Sequence, residues 1–261
     1  TETTDPAETT DPTETTDPAE TTDPAETTDP GDATSSADGG VSTYAPAEDL
    51  VAQVESYVER LEEAVANEEE YEEAQSRIAK DANTLVVIAL GLGLHDQANK
   101  YKAAGTLIKA AQDLAATTDH ASAKAGVATV KAAAASEAAA EDELKWEQVA
   151  SLEQLMAQVP LLNTKLKGAV RRLDRKAADV QGHSAVIAMI AQGTMANCSE
   201  TEKPDEVKQW QAFCVQMRAA AAAVNAGARA QDEDAVGTAM EQLQQSCEDC
   251  HAVFHETEEE E

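Results

Sequence analysis

Aromatic side chains are nearly absent from this chain: its 261 residues include two tryptophans, two phenylalanines and four tyrosines. A core built from it must be aliphatic, unless a bound group supplies ring bulk. Basic residues are scarce as well. Nineteen Lys and Arg stand against 50 Asp and Glu, a formal net charge of −31. That field repels phosphate backbones and anionic lipid surfaces, so no nucleic acid or membrane-surface partner is expected, and a basic protein is the compatible one. No apolar run approaches the 18 residues of a membrane helix, so no transmembrane span is expected. Strand-like alternation is missing. So are a Gly-rich phosphate loop, a nucleophile–base pair and a second metal motif, and the chain is not expected to be an enzyme.

What the chain does have is sharply divided. The first 40 residues hold twelve of the acids and no Lys or Arg. Residues 1–30 are five copies of a hexad, TETTDP or AETTDP, and the Gly/Ser-rich stretch 31–40 continues them. Like charges, regular proline and no apolar periodicity cannot offset chain entropy, so residues 1–46 are expected to form a disordered, extended tether. From Ala47 onward alanine and leucine abound and the pattern turns helical.

Four cysteines occur, at 198, 214, 247 and 250, and the last two stand in Cys247-Glu248-Asp249-Cys250-His251. This spacing is the attachment signature of c-type haem. On a helix, positions 247, 250 and 251 share one face through i,i+3 and i,i+4 steps. Two thiols then reach two haem vinyl groups while the His251 imidazole meets the iron from the same side. A CxxC also serves as a redox dithiol or as half of a zinc site. The first belongs near a βαβ pattern, and the second needs two further ligands, which Cys198 and Cys214 do not offer as another CxxC. One covalent haem c is therefore expected, held by Cys247, Cys250 and His251, and its rings would supply the missing aromatic bulk. Covalent attachment of this kind takes place outside the bacterial cytoplasm. The expected location is exported, periplasmic or associated with the cell envelope, with an export signal removed before Thr1.

The helical part is written twice. Residues 50–65 read LVAQVESYVERLEEAV and residues 155–170 read LMAQVPLLNTKLKGAV, seven identities at an offset of 105; Val87-Ile88-Ala89 returns as Val186-Ile187-Ala188. A repeat this long is a duplicated domain rather than a solenoid unit. Helices are expected at about 47–66, 69–94, 98–117 and 119–137, then at 147–172, 175–196, 205–229 and 233–255. The fold class is all-α: two tandem antiparallel four-helix bundles, a haem-free one over 47–140 and a haem-binding one over 141–261.

Residues 205–255 resemble the C-terminal half of the cytochrome c-prime family, the class II c-type cytochromes. The resemblance rests on Trp210, Phe213, Ala219 to Ala223, Asp232, Asp234, Leu243, the CxxCH and Phe254. It departs at His255, where the family usually carries Arg or Lys. In such a bundle the end of the last helix lies beside the start of the first and the connection between the second and third. Candidates for a sixth iron ligand are therefore Met156, Met189, Met195 and His183. Met156 leads them, because its counterpart in the copy without cysteines is Val51 and because low-spin members of the resembled family draw a methionine from this place. His255, one turn after His251, points to the same haem side and cannot bind opposite it. His95 and His120 are given no metal role. Cys198 and Cys214 either form a disulfide or stay as buried thiols. The leading expectation is one-electron transfer through a His251/Met haem to a redox partner. The alternative is a five-coordinate haem that binds or senses gases such as NO or CO, as the resemblance also implies. A homodimer fits the same family.

Overall fold

The computed structural model describes residues 39–97, 101, 103–138 and 143–255, so the hexad repeat lies outside the described residues. Among the described residues the protein is all-α. Its helices are α1 (Ala47–Ala64), α2 (Glu68–Gly93), α3 (Ala104–Ala115), α4 (His120–Ala134), α5 (Leu152–Val170), α6 (Leu173–Gly193), α7 (Val207–Ala230) and α8 (Glu233–Phe254). Side-chain caps set several starts. Asn67, Asp119, Ser151 and Asp232 each accept the backbone N–H three residues on, occupying a donor that the first turn leaves free. The Ser151 cap explains why α5 begins at Leu152 instead of the expected 147. Gln231, with φ 57°, closes α7 in the left-handed conformation and turns the chain into α8.

The chain also joins the core earlier than the expected end of the tether at 46. Val41, Tyr44 and Ala45 are buried, and the Asp96 carboxylate accepts both the N–H and the hydroxyl of Ser42. The Arg218 guanidinium lies 4.7 Å over the Tyr44 ring. Three apolar side chains and one carboxylate anchor are enough to order this stretch.

Helices α1 to α4 pack on their sequence neighbours, and α1 closes the set against α4. Alternate ends meet: His120 Nε2 donates to the Val65 carbonyl at 3.0 Å, and Tyr101 Oη to the Ala134 carbonyl at 3.0 Å. That is the up-down-up-down order. Helices α5 to α8 repeat it, with one difference. The chain packs α5 on α6, α6 on α7 and α7 on α8, but α5 and α8 barely approach each other. The gap between them holds the candidate functional site.

The two sets share one continuous aliphatic core. Helix α2 packs on α5 and α6, and α1 packs on α6. Glycine permits the closest approach: a Cβ at Gly91 would collide with the Met189 thioether, and one at Gly193 with the Val87 side chain. Polar ties reinforce the contact. Asn225 Nδ2 and Arg229 Nη2 both donate to Asp49 Oδ2, at 2.8 and 2.7 Å.

Candidate functional site

The last turns of α8 carry the site. Leu243, Ser246 and Phe254 are buried, Cys247 and Cys250 half-buried and His251 exposed. This seam presents both thiols and the imidazole to a pocket of about 960 Å³, at the upper end of the roughly 300–1,000 Å³ typical of ligand pockets. Its lining is mostly apolar. Helix α5 contributes Met156, Val159 and Pro160, and α7 contributes Trp210, Phe213 and Met217.

Aromatic residues are concentrated here. Three of the chain's four Trp and Phe side chains meet at this end, with Phe254 edge-on to Trp210 at 5.3 Å and to Phe213 at 6.1 Å between centroids. The Trp210 indole donates to the Thr194 carbonyl at 2.8 Å, which pins the start of α7 to the end of α6. The start of α5 is pinned as well. Glu200 accepts the Leu152 N–H at 3.1 Å and the Gln148 amide at 2.6 Å, and Asn197 donates to the Ala150 carbonyl at 2.9 Å. Met156 follows one turn later, so its place on the wall is set from both sides of the loop.

The electrostatics separate the readings of CxxC. Burial pushes the Cys247 thiol up, and burial followed by the neighbouring Cys247 pushes Cys250 up to about 11. A redox dithiol works with a depressed pKa and an electropositive setting, whereas these thiols stay protonated beside Glu248 and Asp249. Among the described residues no group of three or more His, Cys, Asp or Glu side chains is placed to hold a metal ion, so no zinc set completes the pair. Burial, and then the charge of His255, lower the pKa of His251. A neutral imidazole is the form that ligates a metal.

The remaining expected residues separate clearly. Met156 lines the pocket. Met189, fully buried, packs instead against Gly91 at the contact between α2 and α6. Met195 is buried beside Trp210 and Cys198 and does not line the pocket. His255 does line it, with its ring 5.7 Å from that of His251 on the same side. Cys198 and Cys214 are free buried thiols. Cys198 Sγ faces the carbonyls of Lys203 and Pro204 at 3.6 Å, and Cys214 Sγ lies 3.8 Å from the Thr194 hydroxyl, with burial pushing it up to about 12. Met217 was not anticipated. It sits seven residues after Trp210, the spacing that returns to the same helix face, so periodicity held the signal.

His183 lies outside the pocket on α6. Its Nδ1 is buried without a hydrogen-bond partner among the described residues, and burial, helped by the charge of Lys165, lowers its pKa from 6.5 to about 4. Asp179 acts in the opposite sense and Arg60 in the same one. The folded protein therefore prefers neutral His183, and unfolding takes up a proton between pH 6.5 and pH 4. Stability present above that window is lost as pH falls through it, by up to about 3 kcal/mol. Urea titrations across this range should show a shallower acid loss in His183→Leu than in wild type. Parallel pH profiles would refute the assignment.

The first set differs from the second in the helices that build this pocket. Helices α3 and α4 are 12 and 15 residues long, where α7 and α8 are 24 and 22. Measured from the connecting turns, the extra length is the first half of α7 and the last two turns of α8. Those are the parts that carry Trp210, Phe213, Met217, Cys250 and His251. Comparison with protein-family models, with curated proteins and with solved structures finds no match.

Proposed function

We propose that the protein is a c-type cytochrome with one covalent haem in the α5–α8 gap, working in one-electron transfer. One observation carries this reading: two free protonated thiols and a neutral imidazole share one helix face on the wall of a mostly apolar pocket. Cys247 and Cys250 would each add S–H across a vinyl C=C, the sulfur bonding to carbon and the hydrogen passing to the adjacent carbon, with no oxidant consumed. His251 would hold the iron from the α8 side and Met156 from the α5 side. When bound, the haem supplies an iron that changes charge by one electron, with methionine ligation raising the potential. The aromatic cluster of Trp210, Phe213 and Phe254 excludes water from one edge.

The proposal includes an exported, periplasmic or envelope location and a basic redox partner suited to the net charge of −31. No described helix is long and apolar enough to cross a membrane. A second reading is favoured by the apolar surface of Val159 and Pro160 beside Met156. If the iron is open on that side, the protein binds or senses diatomic gases. The resemblance to cytochrome c-prime over 205–255 is compatible with both.

Protein made with haem-attachment machinery should exceed the polypeptide mass by one haem. Its reduced spectrum should show the bands of a thioether-linked haem. A mass equal to that of the bare chain under these conditions would overturn the proposal.

A further inference from the structure

Helix α5 has two working faces. Met156, Val159 and Pro160 look into the pocket, while Leu155, Gln158, Leu162 and Leu166 are buried toward the other helices. Gln158 is the polar member of that inner seam, 1% exposed. Its Nε2 donates to Tyr57 Oη at 2.9 Å and to Asp81 Oδ1 at 3.1 Å. Asp81 Oδ1 also accepts Arg60 Nη2 at 2.7 Å, and the Arg60 guanidinium lies 4.8 Å over the Tyr57 ring. These partners all belong to α1 and α2. The Gln158 amide thus joins the wall of the pocket to the helical set that has no cysteines.

The same turn is weak from within. Pro160 stands inside α5. Proline has no N–H, so the Met156 carbonyl four residues earlier loses its helical partner, and the ring crowds that carbonyl. Residues 156–160 therefore need support that the helical ladder does not give, and Gln158 faces away from the pocket at the middle of this stretch.

We propose that Gln158 is a positioning residue, through which Tyr57, Asp81 and Arg60 of the first helical set hold the proline-interrupted turn of α5 against the pocket. The positioning is a property of the polypeptide. Its consequence at the iron, the firmness of Met156 ligation, rests on the haem reading. The first set then acts as an intramolecular brace on the site of the second.

Gln158→Leu keeps the volume and removes both hydrogen bonds. In the full-length protein, amide exchange in peptides covering 155–163 should accelerate about tenfold, while α7 and α8 change little. Tyr57→Phe, which removes one of two acceptors, should give a smaller acceleration in the same peptides. Val224→Ala, a core change on α7 outside this network, measures the effect of lower stability alone. In haem-loaded protein, Gln158→Leu should raise the high-spin ferric fraction and the carbon monoxide association rate, and Val224→Ala should move neither. Unchanged exchange in Gln158→Leu, or equal acceleration in Gln158→Leu and Val224→Ala, overturns the proposal. Wild-type protein without covalent haem would refute the cytochrome reading, and the exchange data would still decide the role of Gln158.

Discussion

Replacing Cys247 and Cys250 together by alanine is expected to abolish covalent haem completely. Both sulfurs lie on one α8 face of the pocket, which Cys198, facing the Lys203 and Pro204 carbonyls, does not line. Cys214 does line it from α7, but it is buried against the Thr194 hydroxyl and its thiol is pushed up to about 12. The pocket and His251 remain in the double variant, so any haem it takes up is held by coordination and packing alone. Acidified organic solvent should extract that haem, while the wild-type group stays with the protein. Each single variant should keep one thioether, with the visible bands shifted toward those of a singly linked haem. His251→Ala should leave both thiols able to react and remove the iron's α8-side ligand. Extraction of haem from wild-type protein would end the covalent assignment. Retention of covalent haem by the double variant would end the assignment to these two cysteines.

That Cys247, Cys250 and His251 share one wall of the pocket was legible because their spacing is local. Three residues within five positions must share a helix face, and helical geometry guarantees that they do. The start of α8 beside Asp232 was legible for the same reason, whereas the Ser151 cap was missed and α5 begins five residues after the expected 147. Ligand candidates depended on which helix meets which, and there the pattern ran out. Comparison of the two copies ranked Met156 ahead of Met189, but nothing local showed that Gly91 opens a space on α2 that takes Met189 away from the pocket. Gln158 drew no notice in the sequence, because its partners Tyr57 and Asp81 are far away in the chain. The short α3 and α4 of the first set were not legible in its missing cysteines. Even with a CxxCH, α4 ends too soon to build the wall. Pro160 was plain in the sequence, but its effect appears only once Met156 and the pocket lie on the same side of α5.

Met156→Ala decides between electron transfer and gas binding. A thioether bound opposite His251 makes ferric haem six-coordinate and low-spin, with a weak charge-transfer band from iron–sulfur ligation. Removing that thioether should erase the band, shift the spectrum to high-spin and speed the binding of carbon monoxide or nitric oxide. The side chain is only partly buried, so the change at the iron should exceed the change in stability. Met189→Ala provides the contrast. Met189 is fully buried between α2 and α6, so its truncation should cost about 2–5 kcal/mol while leaving the haem spectrum unaltered. Met217→Ala tests the other methionine on the pocket wall. If it, and not Met156→Ala, erases the band, the sulfur ligand comes from α7. Wild-type protein that is already high-spin, with Met156→Ala and Met217→Ala leaving the spectrum unchanged, has no methionine on its iron. The apolar wall of Val159 and Pro160 then faces an open coordination position, and small diatomic ligands replace the electron as what this site handles.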